Sequence, residues 1–209
     1  MRAAGRREIF VPRFSADMME QQAAFVGRLP MDRKSTPGKQ EITRLLSALL
    51  ASPGVDGHIE VLSATPNWIA LRFDCEPALA ECLLELIDKL MCDLAEQLRD
   101  KISIALREIL TNAMEHGCGF DPKKRIYIGY VRTSRVILIR IGDEGGGFRR
   151  DAIPHAASAN PTGQPFNHLE YRSAHGMRPG GFGLMIAERG VDELLFNEKG
   201  NEALLIHYL

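Results

Sequence analysis

The chain has 209 residues, of which 45% are hydrophobic and 25% charged, with a formal net charge of −1. That length supports one sizeable core plus an appendage and excludes two large domains. The near-neutral balance supplies no global attraction to nucleic acid or anionic lipid, and no run of apolar residues is long enough to cross a bilayer, so direct nucleic-acid binding and membrane insertion are not expected.

The start, MRAAGRREIFVPRF, has basic residues without the apolar centre of a signal peptide, which predicts a cytoplasmic location. The first 55 residues carry nine Lys/Arg against five Asp/Glu, whereas the remainder is acidic. Short helices are expected around 16–28 and 39–51, separated by the turn-rich MDRKSTPGK and ended by SPGVDG. Residues 1–57 thus read as an appended helical, basic extension, and 58–209 as the main domain. Cys75, Cys82, Cys92 and Cys118 have irregular spacing and no CxxC pair, which predicts reduced thiols rather than disulfides or a structural metal.

From His58 onward, HIEVLSA and WIALRFD read as strands joined by TPN. Pro77 opens a stretch to His116 that contains neither Gly nor Pro and has helical apolar periodicity. Nearly forty residues is too long for one globular helix, so two are expected, with a break near Asp93–Gln97. The second has an apolar stripe of Ile102, Leu106, Ile109 and Ala113, with Gly117 as the expected C′ residue. Within its end, EILTNAMEHG, the residues Glu108, Asn112 and His116 recur every four positions and share one stripe. Taken alone, that stripe is either the wet face of an amphipathic helix or a row of functional groups.

RIYIGYV and VILIRIG follow as a hairpin around RTSR. Ile137, Ile139, Ile141 and Asp143 share parity, so a carboxylate leaves the sheet on the face where three isoleucines are buried. An unpaired charge there is costly, and Asp143 requires a partner. After EGGGF comes a long loop, 149–179, rich in Gly, Pro, Ala, Ser, Asn and His; a loop of this length is usually functional or mobile. RPGGFGLMIAERGVDEL then runs glycines into an apolar helix, aiming backbone N–H groups and a positive helix end at whatever lies in front. Two strands around EKGN close the chain.

Three of these segments together resemble the motifs of the GHKL ATPases, the superfamily of gyrase, heat-shock chaperones, histidine kinases and mismatch-repair proteins. EILTNAMEHG resembles the N-box helix, DEGGGF the adenine-binding turn, and RPGGFGLMIAERGVDEL the lid-and-helix motif. The likeness covers about residues 58–209. With HGCGFDP added, the chain is most similar to the small serine/threonine kinases that act as bacterial anti-sigma factors. The resemblance implies an α+β, two-layer Bergerat-type fold, with a mixed, mostly antiparallel sheet covered on one face by helices.

It also implies residue roles. Asp143 would accept a hydrogen bond from the adenine amine, with Gly145, Gly147 and Phe148 completing the turn around it. Asn112 would offer its carboxamide oxygen to Mg²⁺, a cation that prefers hard oxygen ligands. Glu108 would act as the base that takes a proton from an attacking hydroxyl or water. Gly181, Gly183 and Leu184 would present amides to the phosphates of ATP, and Arg178 could add a charge. His116 reads more simply as a last-turn residue complementing the helix dipole. Asn201 stands where the small kinases usually have Thr, removing a hydroxyl from the adenine site.

The expected activity is transfer of the ATP γ-phosphate to Ser/Thr of a small antagonist protein, with a sigma factor as the other partner; a homodimer is also compatible. Two other readings compete: an ATP-dependent partner-switching module without chemistry, and a simple ATPase. A retained Glu108 favours the kinase, because a pure binder has no use for a base. No GxxxxGK[ST] loop, kinase HRD set or GxSxG elbow is present, and His155, His168 and His175 lack HExxH spacing.

Overall fold

A computed structural model describes residues 44, 47, 57–65, 67–148, 157, 160, 163, 164, 166–176 and 181–209. The expected helix at 16–28, most of that at 39–51, and Arg178 lie outside the described residues.

Strand β1 (Ile59–Thr65) pairs with β2 (Trp68–Asp74) as the expected hairpin, with a register shift between Val61 and Ser63. Helix α1 (Pro77–Leu90) starts with proline at its first turn, where a missing N–H costs nothing. Leu79, Leu83, Leu86 and Leu90 fall at helical spacing and are buried. Helix α2 (Glu96–Asn112) follows after a break at the expected place. The break is pinned from the sheet: Arg132 donates to both Asp93 carboxylate oxygens at 2.6 Å and to the Leu90 carbonyl at 3.2 Å.

Beyond Asn112 the helix widens into a π-helical turn, Ala113–Cys118. Such turns insert a residue into the helical ladder and are frequent at functional sites. The expectation that Gly117 ends the helix is thereby corrected. The left-handed terminal residue is Gly119, φ 66°, while Gly117 lies inside the π turn, where a different constraint selects it.

Strands β3 (Arg125–Arg132) and β4 (Val136–Asp143) form the second hairpin. Helix α3 (Asn167–Ala174) interrupts the segment expected to be loop. Its inward residues are His168 and Arg172, so the apolar periodicity that reveals most helices is missing. Helix α4 (Gly183–Gly190), β5 (Glu193–Phe196) and β6 (Glu202–Tyr208) complete the order.

The six strands lie as β1-β2-β3-β4-β6-β5, and every neighbouring pair is antiparallel, so the parallel component of the expected mixed sheet is not found among the described residues. Side chains of one parity, among them Phe73, Ile126, Ile128, Tyr130, Ile139 and Ile141, meet the apolar stripes of the helices in a single core. The stripe Ile102, Leu106, Ile109 and Ala113 is buried as expected. The result is the two-layer α+β architecture.

Helix α4 packs along α2 in the opposite direction. A Cβ on Gly183, at its start, would come within 2.5 Å of Glu108 Oε2; one on Gly190, at its end, would meet the Lys101 carbonyl at 2.7 Å and Ala105 Cβ at 2.8 Å. The N-terminus of α4 therefore lies beside the C-terminal half of α2, next to Asn112.

Candidate nucleotide site

A cavity of about 410 Å³ opens between the end of α2, the start of α4 and the tips of β4 and β6, a volume typical of small-molecule sites. Ile141, Phe148, Phe196 and Ala203 supply apolar walls, and the two phenyl rings meet edge to face with centroids 5.4 Å apart.

Asp143 lies at one end. Its Oδ1 accepts the Gly145 N–H at 2.8 Å. The Cα of Gly117 presses on the same carboxyl group, and a Cβ there would lie 2.6 Å from Oδ2 and closer still to the group's other two atoms. Real Cβ contacts do not go below about 3.0 Å, so this approach, rather than a positive φ, is why residue 117 lacks a side chain. Burial pushes the Asp143 pKa up from its ordinary 3.8, partly opposed by the Gly145 N–H and the charges of Lys199 and Lys124.

The loop after Asp143 lies backbone to backbone on the turn between β5 and β6. Gly147 and Gly200 both have positive φ, and a Cβ on either would strike the opposing loop, at the Lys199 and Phe148 carbonyls respectively. Lys199 Nζ donates to the Gly145 carbonyl at 2.7 Å. Asn201 Nδ2 donates to the Asp143 carbonyl at 2.8 Å, and Asn197 Oδ1 gathers the N–H groups of Gly200, Asn201 and Glu202. Asn201 thus fastens the backbone that carries Asp143.

Glu108 and Asn112 line the other end, beside the Gly183 Cα. Glu108 precedes Gly117 by nine positions, about two turns along the α-helix and its π-helical continuation. The cavity is therefore elongated, with a half-buried carboxylate and apolar walls at one end and a helix N-terminus with two oxygen-bearing side chains at the other. The first N–H groups of a helix have no partner within it, which suits such an end to an anion.

Of the sequence-derived residues, Glu108, Asn112 and Asp143 reach the cavity, as do Gly147 and Phe148 in the turn and Gly181, Gly183 and Leu184 at α4. Gly145 does not line it; it braces Asp143 from behind. His116 does line it, from within the π turn rather than as a cap on α2. Sequence reasoning missed Arg172, which enters from α3, and Lys199, Asn197 and the structural use of Gly117. Only the Gly in H-G-x-x-x-D-P hinted at the last of these.

The model of the histidine kinase-like ATPase domain matches residues 76–206, more than half of the chain. The protein belongs to that family, a class of ATP-binding domains. The match begins after β1 and β2, although both strands belong to the same sheet. A comparison with curated proteins finds no match. Among the described residues no helix is long and apolar enough to cross a membrane.

Proposed function

We propose that the protein is an ATP-dependent serine/threonine protein kinase of the anti-sigma type, with a small antagonist protein as substrate and a sigma factor as its other partner. The observation that carries the reading is the polarity of the cavity: Asp143 against Gly117 at one end, Glu108 and Asn112 against the start of α4 at the other. That layout suits a purine at the first end and a phosphate chain at the second.

In this reading Asp143 accepts a hydrogen bond from the adenine amine, a charge-assisted contact worth roughly 1.5–3 kcal/mol. Amides of Gly181, Gly183 and Leu184 receive phosphate oxygens. Glu108 takes the proton of the incoming Ser/Thr hydroxyl as its oxygen bonds to the γ-phosphorus and the bond to the β-phosphate oxygen breaks, releasing ADP. Mg²⁺ fits this donor set. No group of three His, Cys, Asp or Glu suited to a metal occurs among the described residues, and Mg²⁺ is commonly held by one or two side-chain oxygens together with phosphates and waters. Asn112 would be the protein ligand, and the bound ion would offset charge on the phosphates. We assign residues 58–209 to this domain and 1–57 to an extension.

The test is thermal stabilisation by ligand, which follows the ratio of ligand concentration to Kd. Mg-ATP is expected to raise the Tm of the wild type, and Asp143→Asn to lose most of that shift. Equal shifts in both proteins would remove the adenine contact from the reading. Incubation with radiolabelled ATP and host antagonist protein then separates kinase from silent switch, because only the kinase labels a Ser/Thr.

A further inference from the structure

The ladder between β4 and β6 runs to the pair Gly142 and Glu202, and the next two residues, Asp143 and Asn201, depart from it. In a regular antiparallel ladder a hydrogen-bonded pair exchanges both of its backbone N–H···O bonds. Here one of the two is made: the Asp143 N–H donates to the Asn201 carbonyl at 3.0 Å. The other is not, because the β5–β6 turn directs the Asn201 N–H to Asn197 Oδ1 at 3.1 Å. The Asp143 carbonyl receives the Asn201 side chain instead, with Nδ2 at 2.8 Å. One residue thus holds both backbone polar groups of the residue proposed to meet the base.

The orientations of the two amides follow one from the other. Asn197 Oδ1 accepts the N–H groups of Gly200, Asn201 and Glu202, so that atom is its oxygen. Its Nδ2 is then left to donate to Asn201 Oδ1 at 3.0 Å, which in turn leaves Asn201 Nδ2 for the Asp143 carbonyl. An aspartate at 201 has no donor for that carbonyl, and an alanine leaves it without its partner. The Gly145 N–H and the Gly117 backbone fix the Asp143 carboxyl within its own loop and against the π turn. What Asn201 fixes is the strand end that carries the group. Asn201 lines the cavity, yet its amide is engaged at both ends with the protein, which directs its influence through Asp143 rather than onto a ligand.

We propose that Asn201 is a positioning residue for base recognition: it clamps the Asp143 backbone, with Asn197 orienting its amide, and so selects adenine over purines that lack the exocyclic amine. This rests on the reading of the cavity as an ATP site and adds to it the residues that make its carboxylate selective.

The experiment measures Kd, by calorimetry with Mg²⁺ present, for a non-hydrolysable ATP analogue and for the same compound built on purine riboside, which differs only in lacking the amine. The proteins are wild type, Asn201→Ala, Asn201→Asp, Asn197→Asp and Asp143→Asn. The readout is the ratio of the two Kd values, which a merely loosened fold does not move. Wild type is expected to prefer the adenine compound about 10- to 100-fold, and Asn201→Ala to cut that preference about 3- to 10-fold, the scale of one neutral hydrogen bond. Asn201→Asp keeps an acceptor oxygen and loses the donor to the Asp143 carbonyl, so its preference should fall as in Asn201→Ala; a wild-type ratio in this variant would overturn the proposal. Asn197→Asp keeps the oxygen that gathers the turn's N–H groups and drops only the donor to Asn201. It is expected to lose about two- to threefold in preference, and it decides the matter should Asn201→Ala not fold. Equal losses for both compounds, or an unchanged ratio in Asn197→Asp, overturn the proposal. If Asp143→Asn removes the preference while the Asn201 variants keep it, the adenine reading stands and this inference alone falls. If wild type shows no preference, both fall.

Discussion

Replacing Gly117 by Ala sets two effects against each other. In a helical position Ala is ordinarily better than Gly by about 0.5–1 kcal/mol, because the unfolded chain has less freedom to lose. Here the new methyl would occupy the place of the Asp143 carboxyl group, with Oδ2 only 2.6 Å away. Gly145 crowds the same carboxyl group from the other side, since a Cβ on it would lie 2.7 Å from Asp143 Oδ1. Overpacking of this kind costs about 1–3 kcal/mol, so the clash outweighs the propensity gain. A net destabilisation of about 1–2 kcal/mol is expected, which lowers Tm by roughly 2–8 °C for a domain of this size. The larger consequence is functional. Asp143 must turn out of the position proposed to meet the purine, and on that proposal ATP binding is expected to weaken about 10- to 100-fold. Differential scanning fluorimetry with and without Mg-ATP, together with calorimetric titration, measures both quantities. A Gly117→Ala protein that melts above wild type and binds ATP with unchanged affinity would refute the assigned packing of Gly117 on Asp143.

Glu108→Gln keeps the shape beside Gly183 and removes the proposed base, so ATP affinity should stay within about threefold while the proposed phosphotransfer to a Ser/Thr substrate falls about 10²- to 10⁴-fold; unchanged turnover would exclude the base role. The pH dependence of the nucleotide-free protein tests the environment of Asp143. Burial raises its folded-state pKa above 3.8, so the stability linked to its protonated form is fully present below pH 3.8 and is lost as pH rises through the folded value. Nucleotide-free Asp143→Asn should therefore gain Tm relative to wild type as pH climbs from 3.8 through the raised folded-state value, then hold a constant margin; a margin that stays flat as pH rises from 3.8 to neutrality would contradict the burial argument.

The strands, their pairing into hairpins, the break between α1 and α2 and the apolar stripe of α2 were legible in the sequence because each is written in a local period or a turn residue. The parity of Ile137, Ile139, Ile141 and Asp143 even located the odd carboxylate on the buried face. Helix α3 was not legible, because its inward residues are His168 and Arg172 and an apolar pattern cannot announce them. The role of Gly117 was misjudged for a related reason: near a helix end a glycine reads as a stop, and its true constraint comes from a side chain 26 positions later in the chain, on another element.

Local chemistry by itself determined which segments carry the oxygen-bearing residues and glycines of the site, since spacing along one helix or strand is set by backbone geometry. Only the tertiary structure decided how they face one another. The opposed directions of α2 and α4 bring Gly183 to Glu108, and the alignment of β4 with β6 brings Asn201 to the Asp143 backbone. Those meetings depend on docking across the core, where long-range packing, not any period in the chain, selects the partner.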